Sequence, residues 1–133
     1  MVMRTQVTFR LFGRDHLSAS TVTDRLGISP SRSFEIGEPL TPGSSEIRSS
    51  SGWLLSSSDD IDEGDLGPRI EKLLSVLEPK SDALWDLVGE GYRASWYCFV
   101  ASATTERATR VDRALLARLL FMPGDLLLDA CGD

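Results

Sequence analysis

The chain has 133 residues, 41% hydrophobic and 26% charged, with 14 Lys and Arg against 20 Asp and Glu for a formal charge of -6. That length suits one domain, residues 1–133, which hides roughly 65–70% of the surface its unfolded form exposes, so neither metal nor disulfide staples are required. The acidic balance weighs against nucleic acid, which is held by clustered Lys and Arg, and favours a basic protein partner.

Val7, Phe9 and Leu11 alternate with Thr8 and Arg10, the period of a half-buried strand that Gly13 ends. Ser18 is placed to cap a short helix carrying Ala19, Val22 and Leu26 on one face, with Leu17 and Val22 as a hydrophobic staple. Gly27 supplies the left-handed stop and Ile28 folds back on the helix. Ser33 to Glu38 is a short strand closed by Gly37 and Pro39. Residues 40–52, rich in Ser, Gly, Pro and Thr, form a mobile loop, and Gly52 to Ser57 returns as a strand led by Trp53, Leu54 and Leu55.

The acidic run from Asp59 to Asp65 precedes the strongest helix signal. Leu66, Ile70, Leu73, Leu74 and Leu77 form a stripe that continues in phase through Ser81, Leu84 and Val88, with Pro79 expected to kink or split the helix. Tyr92 to Ala103 is the strongest strand, with Trp96, Cys98 and Val100 on one face and Tyr97, Phe99 and Ala101 on the other, so both faces are expected to be covered. Thr109 and Asp112 suggest a capping box for a last helix with Val111, Leu115, Leu116, Leu119 and Leu120. After Met122-Pro123-Gly124, Leu126-Leu127-Leu128 opens a final strand. The resulting order, β-α-β-β-α-β-α-β, predicts an α+β two-layer sandwich with a mostly antiparallel sheet, ferredoxin-like in its β-α-β-β-α-β core with an added helix and strand.

The opening Phe9-Arg10-Leu11-Phe12-Gly13 strand, the helix end Leu26-Gly27-Ile28, Pro30-Ser31-Arg32-Ser33-Phe34 with Gly37-Glu38-Pro39, the Gly52-Trp53 strand and the long Leu-rich helix together resemble the bacterial family DUF4279, a domain of unknown function. The similarity runs from about Gln6 to Cys131. It implies a fold and a prokaryotic stand-alone domain, and it carries over no activity, cofactor or site.

Much familiar chemistry is missing. His16 is the single histidine, and no Gly-x-Ser-x-Gly elbow accompanies it. Gly89-Glu90-Gly91-Tyr92-Arg93-Ala94 imitates a dinucleotide fingerprint, but helix precedes strand there, the reverse of what pyrophosphate binding requires. An EF-hand counted from Asp59 would put Ile61 and Ile70 where oxygen ligands are needed. An RNA-binding sheet lacks its basic-glycine-aromatic signature in the central strand. Cys98 and Cys131 are too few and too far apart for zinc or a CxxC pair; both are expected reduced and buried, with a disulfide only if their strands lie side by side. No secretory signal opens the chain and no apolar run spans a membrane, so a cytoplasmic protein without metal or cofactor is expected.

The best candidate site lies between Arg32 and Trp53. Arg32, Phe34, Glu38, Arg48 and Trp53 could line a groove at a sheet edge, the guanidinium groups taking a carboxylate or phosphate and Trp53 giving apolar contact. Alternatively Phe34 and Trp53 are core residues, with Arg32 tied to Glu35 or Glu38. The reading that follows is a small non-catalytic binding or protein-interaction domain. Two others stand beside it: an enzyme using Arg32, Glu38 or His16 on a small anionic substrate, and a self-associating domain paired as a homodimer across a two-fold axis.

Overall fold

The computed structural model describes residues 3–102 and 108–132. Its central strand β1 (Met3–Gly13) divides by parity. Met3, Thr5, Val7, Phe9 and Leu11 are buried, while on the alternate positions Arg4, Gln6, Arg10 and Phe12 are exposed or half-buried and only Thr8 is buried. Helix α1 (Ala19–Leu26) begins at Ser18, whose hydroxyl accepts the Thr21 N–H at 3.2 Å, and ends at Gly27 in the left-handed region with φ 66°. Ala19, Val22 and Leu26 enter the core as their spacing requires.

Strand β2 is Arg32–Phe34, shorter than the expected Ser33 to Glu38, because the chain turns back at Gly37 with φ 90°. The stretch expected as a loop then closes into its own small ladder: Gly37 donates to Arg48 at 3.0 Å, Arg48 to Glu38 at 2.8 Å and Leu40 to Glu46 at 2.9 Å, all through backbone groups. Strand β3 (Ser51–Ser56) pairs antiparallel with β1 and β2, and the two-residue β4 (Asp62–Glu63), cut from the acidic run, pairs with Arg4 and Thr5 of β1.

Helix α2 (Leu66–Leu77) and helix α3 (Ser81–Glu90) are separated by a 3-10 turn, Glu78–Lys80, around Pro79. Proline has no N–H for the helical ladder, so the split falls where expected. The tighter turn also rotates the stripe: beyond it Leu84 and Leu87 are buried, while Ser81 and Val88 sit at the margin. Gly91 (φ 121°) ends α3 with its N–H on Val88 at 3.0 Å, a helix stop.

Strand β5 (Arg93–Ser102) runs antiparallel to β1, and Ala103, expected at its end, lies outside the described residues. Helix α4 (Arg113–Leu120) leads to β6 (Asp125–Gly132), which pairs with β5 in parallel. The capping box is corrected: Asp112 is itself the N-cap, accepting the Leu115 N–H at 2.9 Å. Thr109 lies too far upstream of that start and instead caps α2, its hydroxyl accepting the Leu66 N–H at 2.9 Å. Of the expected α4 stripe Leu115 is buried and Val111 and Leu119 are half-buried; Leu116 and Leu120 are exposed.

The sheet order is β2-β3-β1-β5-β6, mixed but mostly antiparallel, in an α+β fold. One face carries the core, where Phe9 and Trp96 meet edge to face at 4.9 Å among Leu11, Trp53, Ile70, Leu74 and Leu84. The opposite face is not covered as the sequence of β5 suggests, and Tyr97 and Phe99 remain half-buried on it. No helix is long and apolar enough to cross a membrane among the described residues.

The cysteines need a second correction, because Cys98 is buried but Cys131 is exposed on β6, and both are free. Their strands do lie side by side, yet Cys98 faces Leu128 and Cys131 faces Ala101. That offset separates them by roughly 10 Å along the strands, beyond disulfide reach. Burial pushes the Cys98 thiol up to about 11, so it stays a protonated, inert group at neutral pH. Titration of the native protein with an aromatic disulfide reagent should therefore label Cys131 quickly and Cys98 only on unfolding. Thr109→Val, which keeps the shape but removes the cap on α2, should cost about 1 kcal/mol in a denaturant melt, with Thr109→Ser near wild type.

Candidate functional site

Register across the strands places three rungs of side chains on the open face. Phe34, Gly52, Phe12 and Arg93 form the first; Arg32, Leu54, Arg10, Ser95 and Asp125 the second; Ser56, Thr8, Tyr97 and Leu127 the third. Arg10 and Phe12, like Arg32 and Phe34, are two residues apart on one strand and so point to the same side. The Arg10 guanidinium lies 4.7 Å from the Tyr97 ring centre and 5.2 Å from that of Phe12, and its Nε donates to Ser95 at 3.1 Å. Arg48 sits 3.8 Å over Phe34 and Arg32 5.8 Å from it, while the Phe12 and Phe34 rings are 6.4 Å apart.

Gly52 makes this seating possible. A Cβ there would come within 2.2 Å of the Phe34 ring, which lies across the bare backbone. Arg10 spends its Nε on Ser95 and Arg48 spends one Nη on the Leu40 carbonyl at 3.4 Å, which leaves the remaining N–H groups of each stacked guanidinium for an oxyanion. The ion pairs among the described residues are Arg25 with Glu90 and Arg118 with Glu71 and Glu78; Arg10, Arg14, Arg32, Arg48 and Arg93 have no carboxylate partner among those residues. Partial burial lowers the pKa of Arg10, opposed by Tyr97, and the group remains a cation.

Two open clefts border the upper end of this face. One, of about 590 Å³, lies at the turn between β1 and α1 and is lined by Phe12, Arg14, Asp15, His16, Leu17, Ser49, Ser50, Glu90, Gly91 and Arg93. The other, of about 440 Å³, includes Arg10, Phe12, Arg93, Ser95, Asp125 and Leu127. Phe12 and Arg93 belong to both and form the ridge between them. Asp15 takes a left-handed conformation, φ 57°, that turns the chain from β1 towards α1. His16 is exposed in the first cleft, and no three His, Cys, Asp or Glu side chains gather as a metal set among the described residues.

The expected site is thus partly assembled. Arg32, Phe34 and Arg48 come together on the open face. Trp53 does not: as the neighbour of Leu11 it faces the helices, fully buried, with its Nε1 donating to the Thr23 hydroxyl at 3.0 Å. A groove containing Trp53 is therefore corrected by strand parity, which sends Gly52 and Leu54 outward and Trp53 inward. Glu38 is exposed, its backbone tied to Arg48. Glu35 is not the partner of Arg32 either; its carboxylate caps α1, accepting the Ala19 and Ser20 N–H groups at 2.7 and 3.0 Å. Arg10, Phe12 and Arg93 are the residues that sequence reasoning missed. The signal that could have found them is the Arg-x-Phe step repeated in Arg10-Leu11-Phe12 and Arg32-Ser33-Phe34.

A family model matches residues 3–131, nearly the whole described chain. The chain belongs to DUF4279, a family of domains of unknown function. Comparison with curated proteins and with solved structures found no match to it. Like the family's description, the match assigns no role to any DUF4279 residue, so the site rests on its own geometry.

Tyr97 reports on that geometry. Its hydroxyl donates to the Asp129 carboxylate, which together with desolvation and the Asp129 charge raises its pKa above the ordinary phenol range, against a lowering by Arg10. The unfolded phenol releases its proton first, so this contribution to stability is full below the ordinary phenol range and is lost as pH rises through the folded value. Ultraviolet titration of Asp129→Asn should show one tyrosine ionising at lower pH than in the wild type.

Proposed function

We propose that this domain is a small non-catalytic binding module whose open sheet face takes an acidic protein segment, with carboxylates seated on Arg10, Arg32, Arg48 and Arg93 and apolar contact made by Phe12, Phe34 and Tyr97. The observation that carries the reading is the stacking of Arg10 and Arg48 on aromatic rings with no carboxylate partner among the described residues. The rings hold the guanidinium planes in place, which reduces the side-chain freedom lost on binding. The net charge of -6 favours a basic partner, but it averages over a surface on which this face carries Arg10, Arg32, Arg48 and Arg93, with Asp125 and Asp129 confined to its β6 edge.

Binding without bond chemistry is supported by the surroundings of the ionisable groups. His16 is exposed, and the hydroxyl nearest it in sequence, Ser18, is committed to the start of α1 through Ser20, Thr21 and the Thr21 N–H. The reading extends to the fold and compartment. The order β2-β3-β1-β5, antiparallel throughout, with the core on one face, supports a ferredoxin-like core to which α4 and β6 are added within a single domain. An exposed free Cys131 fits the reducing cytoplasm.

A fluorescent poly-glutamate peptide should bind at low salt and weaken as salt rises, and Arg10→Ala combined with Arg48→Ala should reduce its affinity at least ~10-fold. Preference for poly-lysine would overturn the reading in favour of a basic partner. Preference for single-stranded oligouridine would move it to nucleic acid.

A further inference from the structure

The two edges of the sheet are built differently. At one end β2 is three residues long, carries Arg32 and is bracketed by Pro30 and Pro39, all devices that discourage another strand from adding on. At the other end β6 runs for eight residues in unbroken register with β5, contains no Lys, Arg or Pro, and has no strand on its outer side among the described residues. Its Leu126-Leu127-Leu128 run is apolar on both faces, the pattern of a strand meant to be interior.

Exposed apolar side chains collect at the same edge. Of eleven large hydrophobic residues exposed among those described, six lie between Leu116 and Leu128, and a seventh, Trp85, donates its Nε1 to the Phe121 carbonyl at 2.8 Å. Leu120 is 83% exposed and Phe121 79%. Scaled by their exposure these seven residues, backbone included and with Leu127 on the open face, present on the order of 900 Å² per copy, against the ~800 Å² per partner of a standard interface. Scattered single leucines need no explanation, but this concentration of exposed apolar residues in α4 and on both faces of a free strand does.

We infer that β6 is a homodimer interface, pairing antiparallel with β6 of a second copy across a two-fold axis at Leu128. In that register Leu128 faces Leu128 of the partner subunit and Leu126 faces Ala130 of the partner subunit on the helix side. On the other side Leu127 faces Asp129 of the partner subunit, so no carboxylate is set opposite another. A second copy suits the edge better than an unrelated strand because the contact is isologous: it consumes both free β6 edges at once, and the guarded β2 edges prevent growth beyond a dimer. The inference is independent of the ligand proposed for the open face.

Sedimentation velocity of the full chain at tens of micromolar should show a dimer. Leu126→Lys with Leu128→Lys should leave the far-ultraviolet circular dichroism unchanged and raise the dimer dissociation constant at least ~10-fold. Should that double variant not fold, Leu128→Cys in a Cys131→Ser background tests the same axis, and mild oxidation should cross-link two chains. A wild type that stays monomeric, a dimer indifferent to both lysines, or failure of the Leu128→Cys chains to cross-link would each overturn the assignment.

Discussion

The register of β1 governs everything else. Because side chains alternate strictly, a slip of one residue would send Arg10 and Phe12 into the core and expose Phe9 and Leu11. The register is fixed by polar pins at its margins. Ser57 donates its backbone N–H to Val7 at 2.8 Å and accepts the Val7 N–H on its hydroxyl at 3.1 Å. Thr5, wholly buried, donates its hydroxyl to the Gly64 carbonyl at 2.8 Å, and the Ser51 hydroxyl reaches Leu17 at 2.6 Å. These contacts sit where strands leave for loops, so each connection repeats the same alignment. No buried side-chain nitrogen or oxygen lacks a hydrogen-bond partner among the described residues. Unpartnered donors would be costly there, so the pins both satisfy themselves and exclude other registers.

Around that strand the charges are sorted by purpose. Arg118 of α4 clasps Glu71 of α2 and Glu78 of the 3-10 turn, and the pairing holds the Glu78 carboxyl below its usual range. Arg25 does the same for Glu90 across α1 and α3, lowering that carboxyl through its hydrogen bond. These pairs are largely solvated and contribute little energy each, but they orient helices relative to one another. Arg10, Arg32 and Arg48 on the open face instead rest on aromatic rings. A formal charge summed over the chain therefore misrepresents the potential any one partner would meet.

A sheet whose faces are so unlike also has unlike edges. Its β2 side is short, charged and turned away by the small ladder that follows it. The β6 side continues the sheet with leucines and no charge-bearing guard except two aspartates, one of which is already engaged by Tyr97. The parallel crossover through α4 explains part of this. An eight-residue helix that buries only Leu115 fully is too short to roof the strand it delivers, and Leu126 and Leu128 remain exposed on the helix side.

By itself the sequence determined what depends on neighbours along the chain: the alternation in β1, the Ser18 and Gly27 limits of α1, the break at Pro79 and the order of the principal elements, all set by backbone geometry and local hydrogen bonds. It also brought Arg32, Phe34 and Arg48 under suspicion because they lie close in sequence. What only the tertiary structure decided depends on which strands become neighbours. That choice turned Trp53 inward beside Leu11, lent Thr109 to a helix 43 residues away, gave the Glu35 carboxylate to α1, and set Tyr97 of β5 against Arg10 of β1. Such contacts are fixed by burial of the whole apolar surface at once, a property of the assembled sheet and helices that no local window of the chain contains.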